Sequence, residues 1–343
     1  MSPGEAPTGK VRWGILGAAR IATERVIPAT MACAGAQVAA VASRSLDKAR
    51  AAADRYGIPT AYGSYEELLA DPNVDAIYNP LPNHLHVPWT IRAMEAGKHV
   101  LCEKPIALDA AEARKLLDAR ARTGRLVQEA AMVRMHPRWL GARELIRAGR
   151  VGDVRAVVGF FSYVNGSPDN VRNKAECGGG GLLDVGFYPV TISRFLFEAE
   201  PVRVIGTLEV DPAFGVDRLA SALLEFPSGH ATFTCATQLP HHQWVDVHGT
   251  KARLGVEIPW SMPSDRPSRL ILDDGRSLTK DNLVYLPFGA SNQWQVQCER
   301  FCEAIQTGRP APIPIEDAVA NMQVLDALFR SSRTGKWERP SES

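Results

Sequence analysis

Residues 11–22 read Val-Arg-Trp-Gly-Ile-Leu-Gly-Ala-Ala-Arg-Ile-Ala. Val11 to Leu16 is a short apolar run, Gly17 offers a turn, and a helical stretch follows from Ile21 to Cys33. A brief apolar run ending in glycine is the mark of a strand buried on both faces, as in a parallel sheet. Working outward, further strands are expected at 37–42, 75–78, 99–101 and 125–128. Between them lie helices at 47–56 closed by Gly57, 64–70 with Glu66 and Glu67 in its early turns, 86–96 stopped by Gly97, and 110–123 ended by Gly124. Strand and helix alternating through short turns predict a doubly wound, Rossmann-type parallel sheet with helices on both faces, over residues 9–128.

The pattern changes beyond residue 128. A helix is expected over 132–148, and then strands predominate. Val154 to Val164 is β-branched and aromatic, while 219–226 and 231–238 flank the turn Pro227-Ser228-Gly229. The run 244–247 pairs with 253–256, and 270–272 with 277–278 around Asp273-Asp274-Gly275. Two helices, 292–306 and 316–330, close the chain. The expected fold class is therefore α/β, with a second, α+β domain over 129–335 built on a large, mostly antiparallel open sheet.

Composition sets the outer limits. The chain has 343 residues, and 39 Lys and Arg against 38 Asp and Glu leave a formal charge of +1, without the basic surplus that phosphate neutralisation requires of a nucleic-acid binder. The longest stretch without Asp, Glu, Lys or Arg, Phe226 to Val245, holds two prolines and three histidines and cannot span a bilayer. Met1 to Lys10 shows no apolar core that would mark an export signal, so a cytoplasmic protein without membrane partners is expected. Of the six cysteines, Cys33, Cys102, Cys177 and Cys235 are far apart. Cys298 and Cys302 share an amphipathic helical face with Trp294, Phe301 and Ile305, which predicts buried thiols. His241, His242 and His248 cluster without cysteine or carboxylate partners at ligand spacing; surface or interface histidines are expected, and no metal site.

Four stretches carry chemistry. Gly17-Ala18-Ala19-Arg20-Ile21-Ala22 occupies the place of the G-x-G-x-x-G/A turn, where glycines let the backbone approach a pyrophosphate at a helix start. At the end of the next strand, where an NAD enzyme commonly places a carboxylate on the ribose, stand Ser43-Arg44-Ser45, with Lys48 a turn later. Two cations and two hydroxyls suit a 2′-phosphate, so NADP is preferred, with NAD as the alternative. Asn79-Pro80-Leu81-Pro82-Asn83-His84-Leu85-His86 and Cys102-Glu103-Lys104-Pro105 follow two later strands. In an open parallel sheet, ligands bind outside the carboxyl ends of the strands, so Pro80, Pro82, Asn83, His86, Glu103 and Lys104 fall on the dinucleotide rim.

With Gly14-x-x-Gly-Ala-Ala-Arg-Ile-Ala, Pro82-Asn83-x-x-His86 and Glu103-Lys104-Pro105 in place, the chain resembles the glucose–fructose oxidoreductase/inositol dehydrogenase/MocA family. Glu129-Ala-Ala-Met-Val-Arg134-Met-His136-Pro137 and Gly178 to Gly181 followed by Leu-Leu-Asp184-Val-Gly186-Phe-Tyr188-Pro extend the likeness. These last two look most like the branch of sugar (D-xylose-type) and trans-dihydrodiol dehydrogenases. The resemblance implies hydride transfer at a sugar-like alcohol, hemiacetal or keto carbon, with Lys104 and Tyr188 facing that carbon. A free phenol titrates near pH 10, too high for an efficient base, and a neighbouring ammonium favours phenolate. Asp184 precedes Tyr188 by one helical turn and joins the catalytic set. Arg134 and His136 match the family motif; Arg134 is a candidate substrate contact, and Arg172 a candidate cofactor or substrate contact. The four glycines are expected to let the chain approach the nicotinamide closely. Rival readings are a glycoside hydrolase working by transient oxidation and elimination, and a non-catalytic NADP-binding sensor. A homodimer or homotetramer through the exposed sheet face is expected.

Overall fold

The structure, a computed structural model, describes residues 9–340. The terminal segment read above, Met1 to Lys10, therefore lies outside the described residues up to residue 8. The chain divides into two compact units, 1–132 with 294–319, and 133–293 with 320–343.

The first unit holds a six-stranded, all-parallel sheet ordered β3-β2-β1-β4-β5-β6. Its strands are β1 (Val11–Leu16), β2 (Ala36–Ala42), β3 (Thr60–Tyr62), β4 (Ala76–Asn79), β5 (His99–Cys102) and β6 (Val127–Glu129). Sequence reasoning passed over β3, a three-residue edge strand with no fully buried residue. The helices start where side chains satisfy first-turn amides. Ser64 and Glu67 form a reciprocal capping box, and Asp109 accepts from Glu112 N at 2.7 Å. They stop at left-handed glycines, Gly57 and Gly124, both with φ 64°. The helix Gln293–Thr307 supplies part of this unit's core: the Trp13 and Phe301 rings lie 5.8 Å apart, and Trp13 Nε1 donates to Cys302 Sγ at 3.3 Å. Cys298 and Cys302 are buried as free thiols.

The second unit holds an eight-stranded sheet ordered β14-β13-β12-β11-β7-β10-β9-β8. The strands are β7 (Val154–Val164), β8 (Arg203–Val210), β9 (Asp217–Phe226), β10 (Gly229–Ala236), β11 (Gln238–Gly249), β12 (Arg253–Glu257), β13 (Ser268–Asp273) and β14 (Val284–Phe288). All pairings are antiparallel except β7 with β10. The expected hairpin partner 277–278 is not a strand: β13 pairs with β14, placing Leu270 opposite Leu286, and Leu278 is fully exposed. The helix expected over 132–148 is a 3-10 turn, Met132–Met135, and then a helix from Pro137 to Arg147, whose first-turn amide at Arg138 is capped by His136 Nδ1 at 3.1 Å. Helix Phe187–Phe197 is buried at every position from Phe187 to Leu196. On another face Ile205, Leu223, Val158 and Ile271 stand in one row across the sheet, all half-buried, with Phe160 and Trp244 in the adjacent row. Among the described residues no helix is long and apolar enough to cross a membrane.

Candidate active site

Because β1, β2, β4 and β5 run parallel, the turns after them share one edge of the first unit. Gly17 has φ 94°, donates its N–H to Ala42 O at 2.7 Å, and a Cβ there would lie 3.3 Å from Leu81 Cδ2. Only glycine takes that backbone without strain. Ala18 and Ala19 follow half-buried, and Ile21 enters the helix; Arg20 is exposed and pairs with Glu24 at 2.9 Å. At the end of β2, Ser43 Oγ accepts from Ser45 N at 3.3 Å and Ser45 Oγ from Lys48 N at 3.5 Å. Each hydroxyl thus spends a lone pair on the local backbone and keeps its proton to donate. Arg44 and Lys48 are exposed, and Arg44 lies close enough to Tyr65 to oppose the upward shift that burial gives that phenol.

Asn79 locks the next turn: its amide donates to His86 O at 3.1 Å and Thr90 Oγ1 at 3.2 Å, and its carbonyl accepts from Leu81 N at 3.3 Å. This sets Pro80 beneath the rim, with Pro82 and Asn83 half-exposed on it. His86, expected among the cofactor contacts, is instead 1% exposed, its ring nitrogens 2.7 Å from Pro105 O and 2.6 Å from Leu81 O. A neutral ring has one N–H to donate, so His86 bonds one of these carbonyls and packs against the other, between the two rim turns. Burial holds its pKa down to about 4. Glu103 accepts from Tyr78 Oη at 2.7 Å, Ile106 N donates to Glu129 Oε1 at 2.8 Å, and between these anchors Lys104 is half-buried before a cis peptide to Pro105.

In the second unit, one expected carboxylate gathers an expected arginine and a further tyrosine. Asp184, 9% exposed, accepts from Tyr163 Oη at 2.5 Å and pairs with Arg172 Nε at 3.0 Å through the same oxygen, Oδ2. Facing Asp184 holds the exposed Arg172 guanidinium firmly charged, and Tyr163 and Tyr188 lie within electrostatic reach of it. Burial, then Asp184, pushes the Tyr163 phenol well above its ordinary value, so it remains a donor at neutral pH. The turn that carries Asp184 is a π-helical one, Leu182–Gly186, so the regular one-turn spacing to Tyr188 gives way to a wider step. Tyr188 is 7% exposed in an aromatic seat, 5.7 Å from Trp260, 5.6 Å from Phe161 and 5.4 Å from Phe187, ring to ring. Pro189 follows the π-helical turn within one helical run that begins at residue 181.

The Arg134 guanidinium lies 4.8 Å above the Phe195 ring and donates to Thr191 Oγ1 at 3.3 Å, both on the buried helix. The glycine run also has an internal reason. A Cβ at Gly179 would lie 2.4 Å from Arg172 O, and one at Gly180, with φ 112°, 2.1 Å from Asp217 Oδ1. The close approach seen here is to the unit's own backbone and to Asp217. Sequence reasoning did not find Asp217, and it reaches Tyr163 and Trp260 only as the first residues of two loops, 163–177 and 260–267, expected to read sugar hydroxyls. Tyr163 reads as one more aromatic in a strand, and Asp217 as a polar strand opening. Trp260 is fixed by distant groups: Gln243 Oε1 accepts from Trp260 N at 3.1 Å, and Gln293 Nε2 donates to Trp260 O at 3.0 Å. His241 and His242 are exposed, 6.3 Å from the Tyr163 ring and 5.7 Å from Phe160, ring to ring.

A doubly wound sheet with a glycine turn and polar rim, and a second unit presenting a buried phenol beside a paired carboxylate, define a nicotinamide-dependent oxidoreductase. Residues 11–131 match the oxidoreductase family with an NAD-binding Rossmann fold (GFO/IDH/MocA), and residues 139–255 match the C-terminal domain of that family. The chain belongs to this family. It is 48% identical to an uncharacterised oxidoreductase of Rhizobium meliloti, over 96% of this chain and 98% of that protein. It is 37% identical to an NADP(+) D-xylose 1-dehydrogenase of Haloferax volcanii, over 94% and 98% respectively. Among solved structures it superposes on KijD10, a 3-ketoreductase from Actinomadura kijaniata in complex with NADP and TDP-benzene. The TM-score is 0.88 at 28% identity, covering 94% of this chain and 98% of that one. That ketoreductase has also been solved with one tyrosine changed to Phe and one lysine to Ala or Glu.

Proposed function

We propose that the chain is an NADP-preferring oxidoreductase that moves a hydride between the nicotinamide and a secondary alcohol, hemiacetal or keto carbon of a sugar-like substrate. Tyr188 serves as acid and base, and Lys104 assists it. The observation that carries this reading is the Tyr188 phenol, held in an aromatic seat with the Asp184–Arg172 pair close by. The nicotinamide, when bound, supplies the hydride acceptor or donor. The residues present fit a dinucleotide: Gly17 leaves the space a Cβ would fill, and Ser43, Arg44 and Lys48 offer donors and no carboxylate for a 2′-phosphate. Tyr188 takes the proton of the hydroxyl that becomes a carbonyl, and returns it in the reverse direction. Lys104 favours the phenolate and polarises the substrate oxygen, while Asp184 keeps Arg172 in place.

The D-xylose dehydrogenase and ketoreductase relatives support sugar-like substrates and NADP, and aldoses are the first class to try. The test is nicotinamide absorbance over aldoses, polyols, keto sugars and dihydrodiols with NADP and NAD. Lys104→Ala and Tyr188→Phe are expected to abolish turnover while leaving dinucleotide binding largely intact; normal turnover in both sinks the mechanism. The first unit holds the dinucleotide and the second shapes the substrate site. The half-buried apolar rows of the second sheet support pairing of chains face to face, a dimer or tetramer that light scattering checks. We place the enzyme in the cytoplasm.

A further inference from the structure

We propose that Asp217 is a positioning residue for this reaction: its carboxylate clamps the amides of Gly181 and Leu182 and so fixes how the following turn presents Asp184 and Tyr188. The inference rests on the reading of Tyr188 above. Asp217 opens β9, far from the helix in sequence, and is 5% exposed. Its Oδ2 accepts from Leu182 N at 2.6 Å, and the Gly181 amide bonds to the same carboxylate. A Cβ at Gly180 would lie 2.1 Å from Asp217 Oδ1 and one at Gly181 3.3 Å from Oδ2, so the glycines exist to let this carboxylate in. The clamped residues run directly into the π-helical turn Leu182–Gly186, and Asp184 N donates to Gly180 O at 3.2 Å. Any rotation of the clamp is therefore passed to the Asp184 carboxylate and, one helix start later, to the Tyr188 phenol. A buried acid without a cationic partner in contact is a poor stabiliser, because desolvation disfavours its charge. Two amides at a helix start are what it gains, and orientation of the turn is what the molecule gains.

The test uses the full chain with Asp217→Asn and Asp217→Ala. Hydrogen exchange reads the clamp: amides in 178–188 are expected to exchange at least tenfold faster in Asp217→Ala, and by a smaller factor in Asp217→Asn, which keeps the volume and one acceptor. Turnover of the aldose panel with NADP reads the positioning. A displacement of about 1 Å at a reacting group costs roughly 100-fold in rate, so kcat is expected to fall at least tenfold. NADPH affinity stays within twofold of the parent, and the sugar KM within threefold. A merely structural carboxylate would lower the melting temperature and leave kcat per folded molecule unchanged. Unchanged exchange over 178–188 overturns the inference whatever the enzyme acts on, and so does unchanged kcat in Asp217→Asn. Full turnover in Lys104→Ala and Tyr188→Phe sinks the reading of the site instead, so the two failures are distinguishable. If Asp217→Ala does not fold, Asp217→Asn alone carries both measurements.

Discussion

Replacing Arg44 by Ala is expected to shift the enzyme from NADP towards NAD without harming the fold. The side chain is exposed at the end of β2, and its neighbourhood contains two serine hydroxyls that keep a proton to donate, at Ser43 and Ser45. A charge-assisted hydrogen bond to a phosphate contributes about 1.5–3 kcal/mol. At about 1.4 kcal/mol per factor of ten, its loss weakens NADPH binding roughly 10- to 150-fold. Lys48 is a more flexible point charge, also exposed, and its change to Ala is expected to cost about 1 kcal/mol or less, roughly fivefold. The helix start at Leu46 remains in both variants and retains part of the attraction for anions. The assay is a fluorescence titration of NADPH and NADH against the parent, R44A, K48A and the double variant, at two salt concentrations. NADH binding should be unchanged throughout, and the NADPH loss should shrink as salt rises. Equal losses for NADH and NADPH, or no loss in the double variant, would refute the assignment of these cations to a 2′-phosphate.

Acid is expected to destabilise the protein between pH 6.5 and 5. Burial lowers the pKa values of His86 and His136 to about 4, so the folded chain binds these protons less readily than the unfolded one, and each loses about 2 kcal/mol by pH 5. Asp217, raised to about 6, works in the opposite sense and regains about 1 kcal/mol over the same range, so the histidines win. Urea denaturation at pH 7 and pH 5 checks the sum, and stability that rises on acidification contradicts it. Trp260→Ala removes an indole 1% exposed between Trp139, Phe161 and Tyr188, and should lower unfolding free energy by about 3–5 kcal/mol. Trp260→Phe should recover much of that stability while turnover stays low; a loss below 1 kcal/mol for the alanine variant denies the seat its role.

The first sheet was legible because its strands are buried on both faces and punctuated by glycines with one conformational purpose, as at Gly57 and Gly124. The same local signals located the polar turns after β2, β4 and β5. What escaped notice depends on partners far along the chain. Ser277-Leu278 looks as much like a hairpin arm as Val284 to Phe288 does, and only the register that sets Leu270 against Leu286 separates them. His86 was read by its motif as a ligand contact, yet its neighbours are two carbonyls on different turns. Tyr163 and Asp217 belong to strands whose alternation gave no reason to single them out. Their meaning comes from Asp184 and Leu182, 21 and 35 residues away.

The first unit is assembled from two separated stretches of the chain, and this has a consequence for synthesis. Trp13 finishes its packing on Phe301 and Cys302, residues that leave the ribosome only after the whole of 133–293. At about 5–20 residues per second, those roughly 160 residues take on the order of 10–30 seconds to emerge. For that interval the nascent sheet stands with an apolar flank awaiting its last helix, while the second unit has most of its sequence in hand. The part of the molecule made first is thus completed late, and a fragment ending near residue 132 would be caught permanently in that unfinished state.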